Sequence, residues 1–523
     1  MGFWSAYFIA KLVLYATGHL NLHVALNLAL AALVSLPAAN ARLRLARSML
    51  AVPLGVMLLY YDSWLPPFRR LLVSIPALSG FSLPYMLQLA VRFIDLKALL
   101  GVLIAIGAYM LLSRKLRLGT FAFVGLLLAA VLPLPGTTAT SHSDPRASTA
   151  QAAGAAAPVT SDAQLDALLK NFRSGEANRR IELPTSAGGE PYDIILIHVC
   201  SLAWDDLRFV GMQDDAFLRR FNMLFTRFSS AASYSGPAAI RLLRANCGQQ
   251  PHRDLYSPAA PDCYLLAGFE HAGFEPHWLM NHDGHFGDFY SDVRVRGGVG
   301  AAPDSNDGAA IMQDAIDGTP VYGDYSVLSR WWAGRLKNPV ERQVLYYNTI
   351  SLHDGNRVKG GGASSSAKES YRIRTQMLFR DLGRFMDLIG ASHRRVVFVL
   401  IPEHGAELQG ERRQLQGLRE VPSLAITQVP VGVALIGGAA QDDKGQHSID
   451  APVSYLALAE LLARMVANDP FAAAADKGRQ PWLQKLPETL SVGESENTVI
   501  LETGGTQQMQ NPDRHWESWD PGR

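Results

Sequence analysis

The sequence predicts an α-helical transmembrane domain joined to an α/β domain whose mainly parallel sheet is sandwiched by helices. Three observations carry that prediction. Apolar residues crowd into positions 1–135, whereas 160–523 have an ordinary globular composition. The second region alternates short apolar runs with amphipathic helical patterns, as strands linked by helical crossovers do. Several of those runs end in metal-binding groups, at the edge where open α/β sheets hold their ligands.

The first region has apolar stretches near the length of a bilayer crossing at 3–19, 21–39, 48–64, 96–113 and 119–135. A second stretch follows the first at once, which argues against a cleavable signal peptide. Basic ARLRLAR (41–47) and RKLR (114–117) lie between spans and belong on the cytoplasmic side. Five spans then put the N-terminus inside and everything after residue 135 outside. Arg69 and Arg70 fall on the outer side and leave a four-span or re-entrant reading open. Asp62 and the aromatic, basic loop at 60–70 read as interfacial anchors. Residues 136–162, rich in Ala, Ser, Thr, Gly and Pro, have too little apolar bulk to pack and read as a flexible linker. Residues 163–523 form the soluble domain. A net charge of +1 argues against a nucleic-acid partner bound through phosphate neutralisation.

In the soluble part, YDIILIHVCSL (192–202), QVLYYNTISLHDG (343–355) and RRVVFVLIPEHG (394–405) read as buried strands. FEPHWLMNHDG (274–284) and VPVGVALIGG (429–438) add a fourth and a fifth. The first strand ends at Cys200, the second just before His353, the third at Glu403 and His404. Taken singly, each group has a plainer explanation: a core thiol, a turn, a hydrogen-bonded loop. Together a thiolate, a carboxylate and an imidazole suit zinc better than magnesium or calcium, which prefer oxygen.

Ser235 opens the stretch SGPAAIRLL, which reads as a helix start. A serine there is either an N-cap or a nucleophile presented at a helix N-terminus, where free N–H groups favour an anion. Its oxygen is also placed to be a fourth metal ligand. Arg241 and Arg244, one turn apart farther along, read as members of structural ion pairs. Cys247 and Cys263 lie in one polar, turn-rich stretch and are able to close a loop in an oxidising compartment, which leaves Cys200 unpaired.

The strings HVCSLAWDDL (198–207), SYSGPAAIRLLRANCG (233–248), NLHVALNL (21–28), SLHDGN (351–356), PEHGAELQGERRQLQGLREVPS (402–423) and VPVGV (429–433) make the resemblance specific. The chain resembles the cellulose phosphoethanolamine transferases (BcsG type) of the alkaline phosphatase superfamily over nearly its whole length. That resemblance implies an alkaline-phosphatase-like fold with Ser235 as nucleophile and Cys200, Glu403 and His404 completing a Zn2+ site. It also implies a pocket role for His353, substrate contacts from Arg419 and Tyr234, and a Cys247–Cys263 disulfide. The implied reaction moves phosphoethanolamine from phosphatidylethanolamine to glucosyl hydroxyls of cellulose through a covalent phospho-serine, supporting a biofilm matrix. The implied setting is a multi-pass protein of the bacterial inner membrane with a periplasmic catalytic domain and cellulose synthase subunits as partners. Rival readings are a phosphodiesterase or sulfatase-like hydrolase, a glycerol-phosphate transferase, and a non-catalytic scaffold. Ala239, where a sulfatase motif needs arginine, argues against the sulfatase.

Overall fold

The computed structural model describes residues 4–63 except 18, 19, 21 and 38, parts of 101–131, and then 161–361, 366–437, 445–472 and 485–522. The loop at 64–70, much of the expected fourth span and nearly all of the linker lie outside the described residues. The chain divides into two compact units, 1–156 with short segments 411–415 and 520–523, and 157–410 with 416–519.

In the first unit, helices Trp4–Ala16, Val24–Ser35, Ala41–Asp62 and Leu118–Val131 overlap four of the expected spans. Ala41–Asp62, at 22 residues, is long and apolar enough to cross a membrane, and the others are shorter apolar helices. The basic ARLRLAR segment is helical rather than a loop. Asn40 caps it by accepting from the Leu43 N–H at 2.8 Å, and Ala, Leu and Arg are strong helix formers. Asp62 is not a water-facing anchor: it is fully buried and paired with Lys11. Asn27 donates to Asp62 Oδ2 at 2.8 Å and accepts from Lys11 Nζ at 2.8 Å, while His23 Nδ1 lies 2.6 Å from Asp62 Oδ1. Three helices are thus joined through one charge pair, since an unpaired ion in an apolar interior is costly.

In the second unit the strands in chain order are β1 Asp193–Val199, β2 Met223–Ser229, β3 Glu275–Met280, β4 Ile311–Asp314 and β5 Pro320–Tyr322. They continue with β6 Gln343–Thr349, β7 Arg357–Val358, β8 Val396–Pro402, β9 Gln428–Ile436 and β10 His447–Ile449. The last four are β11 Val492–Glu494, β12 Val499–Thr503, β13 Thr506–Gln510 and β14 Trp516–Trp519. The main sheet has seven strands in the order β10-β2-β9-β8-β1-β6-β3. β8, β1, β6 and β3 run parallel, as the apolar runs led us to expect, whereas β9 is antiparallel to both of its neighbours. β1, β6 and β8 are buried along their whole length, so apolar residues dominate both of their faces rather than alternating.

One face packs on Tyr192, Trp278, Phe228 and the helix Tyr455–Asn468. The other packs on Trp332, Phe385 and the long helix Ala367–Ala391, which Ser366 caps through the Glu369 N–H at 3.2 Å. At the amino edge of the sheet, buried Asp193 binds Arg335 (2.9 and 3.0 Å) and also Arg394. β11 to β14 form a separate antiparallel sheet that packs on the helix Asp162–Ala177.

Cys247 and Cys263 are joined in a disulfide with a sequence separation of 16. A bridge closing a loop of that length contributes about 3 kcal/mol by restricting the unfolded chain. Cys263→Ser should therefore lower the urea midpoint of the purified protein by an amount equivalent to about 3 kcal/mol. The wild type should release one thiol when unfolded without reductant. Two or more released thiols per chain would contradict the pairing.

Candidate metal and nucleophile site

The site grows out of the parallel register. Val199 stands opposite Thr349 on one side and Pro402 on the other. The ladder runs one residue farther, with the Cys200 N–H donating to Thr349 O at 3.0 Å and the Glu403 N–H to Val199 O at 2.8 Å. Cys200 and Glu403 therefore leave the sheet side by side. At Ser201 the backbone turns with φ 61°, and the Leu202 N–H returns to His404 O at 2.7 Å. Gly405 lets this turn approach the helix Trp204–Val210: a Cβ there would lie 2.8 Å from Ala203 Cβ and 2.9 Å from Asp206 Oδ2. Asp206, buried on that helix, accepts from the Ala406 and Leu408 N–H groups at 2.7 and 3.2 Å. It pins the loop that carries Glu403 and His404.

Ser235 answers its own question. Tyr234 occupies the N-cap position, and Ser235 is the first residue of the helix Ser235–Leu243, so its hydroxyl caps nothing. Instead Ser235 Oγ lies 3.3 Å from His404 Nε2 and 3.5 Å from Cys200 Sγ. Cys200 Sγ is 4.0 Å from His404 Nε2, and Glu403 Oε2 is 3.7 Å from it. The ligand atoms of Cys200, Glu403 and His404 all fall within 4.8 Å of one another. Bonds of about 2.0–2.3 Å to a tetrahedral zinc place ligand atoms roughly 3.3–3.6 Å apart, so a shift of up to about 1 Å closes this set on one ion.

Two further features test that fit. Glu403 Oε2 is buried with no hydrogen-bond donor, while its partner oxygen accepts from Asn348 Nδ2 at 2.6 Å. A buried carboxylate oxygen without a donor is costly, and a cation satisfies it. His404 Nδ1–H donates to Gly405 O at 2.8 Å, which fixes the tautomer and leaves Nε2 with a free lone pair facing Cys200 and Ser235. The donor set and its spacing fit a divalent, thiophilic metal.

Burial dominates the electrostatics. It pushes Glu403 up to about 7 and holds His404 well below the usual imidazole range. Burial and the nearby Glu403 push the Cys200 thiol up to about 12. A thiolate here requires a cation beside it.

The remaining expected residues gather nearby. Arg419, buried, places its guanidinium 5.3 Å from the centre of the Tyr234 ring, with Nη1 donating to Ser201 Oγ at 3.4 Å. Its Nε has no partner. Tyr234 Oη donates to Glu420 Oε1 at 2.7 Å. His353 stacks on Phe286 at 5.8 Å, and its Nδ1–H donates to Asp354 O at 2.8 Å. Arg374 holds the His353 carbonyl at 2.6 Å. Burial, reinforced by the charge of Arg419, lowers His353 to about 4, so the ring is neutral near pH 7.

Sequence reasoning missed the support behind the ligands. His282 Nδ1 accepts from the Gly284 N–H at 3.0 Å, so its Nε2–H donates to Asn348 Oδ1 at 2.8 Å, and Asn348 in turn holds Glu403. The available signal was Asn348 itself, a polar residue in the apolar run VLYYN. Asp206 carried a similar signal, an acid in the first turn of a helix beside the first strand end.

The pH dependence of stability follows with its sign. Glu403 and Asp206, both pushed up to about 7 by burial, bind protons in the folded metal-free chain that the unfolded chain has already released. That stability is fully present below the ordinary carboxylate range and is lost as pH rises through about 7. Metal binding instead needs the carboxylate and thiolate, so the increment from metal grows with pH. Between about pH 5 and 7, the increment in melting temperature from saturating zinc should rise. An increment independent of pH would contradict this ligand set.

With that geometry established, the comparisons with known proteins place the chain. Family models described as the cellulose biosynthesis protein BcsG C-terminal domain and N-terminal domain match residues 149–516 and 4–131. The cellulose biosynthesis protein BcsG of Escherichia coli strain K12 is 36% identical over 525 residues, covering 95% of this chain and 92% of the relative. Among solved structures, an alkaline phosphatase superfamily protein from Vibrio parahaemolyticus is 14% identical with a TM-score of 0.47, covering 68% of this chain and 88% of that one. The C-terminal periplasmic domain of EptC from Escherichia coli, in complex with Zn, is 16% identical with a TM-score of 0.42, covering 61% of this chain and 96% of that one. Matches over both halves of the chain, together with a relative at 36% identity along nearly its whole length, show that this chain belongs to the BcsG family of cellulose biosynthesis proteins.

Proposed function

We propose that this protein is a zinc-dependent phosphoethanolamine transferase that takes its group from phosphatidylethanolamine and esterifies glucosyl hydroxyls of cellulose. One observation carries the reading: a serine hydroxyl at a helix N-terminus, bearing on a buried thiol and imidazole beside a carboxylate oxygen that has no donor. The name of the Escherichia coli relative, a cellulose biosynthesis protein, supports cellulose as the product modified. In this reading 1–135 is a multi-pass domain of the inner membrane, 136–162 a tether, and 163–523 a periplasmic catalytic domain. A tether of that kind keeps the catalytic domain at high effective concentration over its lipid donor. Subunits of a cellulose synthase would supply the acceptor chain.

Cys200, Glu403, His404 and Ser235 would hold the metal. When bound, it supplies positive charge for the phosphoryl oxygens and lowers the pKa of the serine hydroxyl. Ser235 Oγ attacks the phosphorus of the lipid, the bond to the diacylglycerol oxygen breaks, and phosphoethanolamine is left on the serine. Diacylglycerol departs with one proton. A glucosyl hydroxyl then attacks the phosphorus, the serine oxygen leaves, and Ser235 recovers its proton.

The chain's own groups support both halves. The free N–H groups of the Ser235–Leu243 helix and the guanidinium of Arg419 favour the charge that spreads over the phosphoryl oxygens. Neutral His353, its Nδ1 committed to Asp354 O, offers Nε2 to accept the proton of the incoming hydroxyl. Covalent storage on Ser235 lets one site serve a lipid and a polymer in turn.

Incubating the full-length protein with phosphatidylethanolamine and no glucan should leave a phosphoethanolamine adduct on Ser235, detectable by mass spectrometry, and Ser235→Ala should show none. His353→Gln should slow the glucan-dependent step about 10²–10⁴-fold while the adduct still accumulates. Diacylglycerol released at the same rate with and without glucan, and no adduct, would mark a hydrolase instead.

A further inference from the structure

Behind the helix that presents Ser235 lies a small cavity into which buried polar side chains open. It is about 20 Å³ in volume, against the roughly 10–15 Å³ that one water needs, which is room for one small occupant. Arg241 from the last turn of that helix and Tyr455 from the Tyr455–Asn468 helix line it. Both are at least nine-tenths buried, at 5% exposure each. The Nε and Nη2 of Arg241 and the Tyr455 hydroxyl all lack a hydrogen-bond partner. Among the described residues, the Gln249 side-chain Oε1 is the one lining side-chain acceptor in the same condition, so unpartnered side-chain donors outnumber side-chain acceptors.

Charge separates an anion from a water. The carboxylate facing Arg241 is Glu494, at 4.0 Å, beyond hydrogen-bond reach. Glu494 is already engaged by Arg173 at 2.9 and 3.2 Å and by the His252 N–H at 2.6 Å. Arg244, also lining the cavity, donates to neutral acceptors: Gln250 Oε1 at 3.0 Å and the carbonyls of Arg296 and Ser257 at 2.8 and 2.9 Å. The structural ion pairs that the sequence suggested for these arginines are therefore incomplete. Arg173 and Arg241 share the one Glu494 carboxylate and Arg244 meets only neutral acceptors, so a neutral water leaves that excess uncompensated where burial makes it costly.

We propose that Arg241 and Tyr455 hold a small monovalent anion of halide size in this cavity. The ion ties the nucleophile helix to the Tyr455–Asn468 helix and to the disulfide-closed segment that begins at Cys247. It stands apart from the catalytic chemistry and does not depend on it.

The test uses the full-length protein. Crystals soaked in bromide should show an anomalous peak within hydrogen-bond distance of Arg241 and Tyr455. Density there with no anomalous signal would identify a water and overturn the proposal. At fixed ionic strength, replacing methanesulfonate by chloride should raise the melting temperature by about 2–4 °C and saturate. Tyr455→Phe, which keeps the ring packing, should move the chloride midpoint several-fold higher. An unchanged midpoint in Tyr455→Phe, or no chloride response in the wild type, would contradict the site.

Discussion

Everything chemical in this protein depends on the register of three parallel strands. Because Val199 faces both Thr349 and Pro402, Cys200 and Glu403 emerge from the sheet as neighbours, and His404 follows within reach. A shift of one residue in β8 against β1 would turn every side chain to the opposite face and separate the thiol from the carboxylate.

That register creates an electrostatic debt that the fold alone does not cancel. A thiol, a carboxyl group and an imidazole, all fully buried, crowd around Ser235. Asn348 satisfies one oxygen of Glu403 and leaves the other bare. Partial satisfaction of this kind is disfavoured in an ordinary core, where burying apolar groups of similar shape would be more stable. It is expected where a cation completes the arrangement, and local strain or unmet polarity tends to mark function. Asp206, His282 and Asn348 act from behind, fixing the loop and the carboxylate before any ligand arrives. The order is consistent across scales: strands set the ligands, loops aim them, and the helix N-terminus delivers the nucleophile.

What was legible in the sequence follows the strength of each local signal. β1, β6 and β8 were visible because burial on both faces makes them predominantly apolar runs. β2 was missed because Thr226 and Arg227 interrupt MLFTRFS, whose middle is only half-buried. The antiparallel direction of β9 left no trace, since strand polarity is set by connections and not by composition. The C-terminal sheet escaped because short polar strands such as TQQMQ carry little hydrophobic period. At the site, chemically distinctive residues stood out, Cys200 above all, and the resemblance drew Arg419 and Tyr234 to them. Asn348 and His282 did not stand out because an amide or a second imidazole gains meaning only when its partner is known. Asp62 was misread because a carboxylate near a helix end resembles an interfacial anchor until Lys11 is found beside it.

Zinc-edge X-ray absorption on the metal-loaded, full-length protein bears most directly on the central arrangement. One sulfur at about 2.3 Å and three nitrogen or oxygen neighbours at about 2.0 Å are the expected shell. A shell with no sulfur, or one left unchanged by Cys200→Ala, would contradict it.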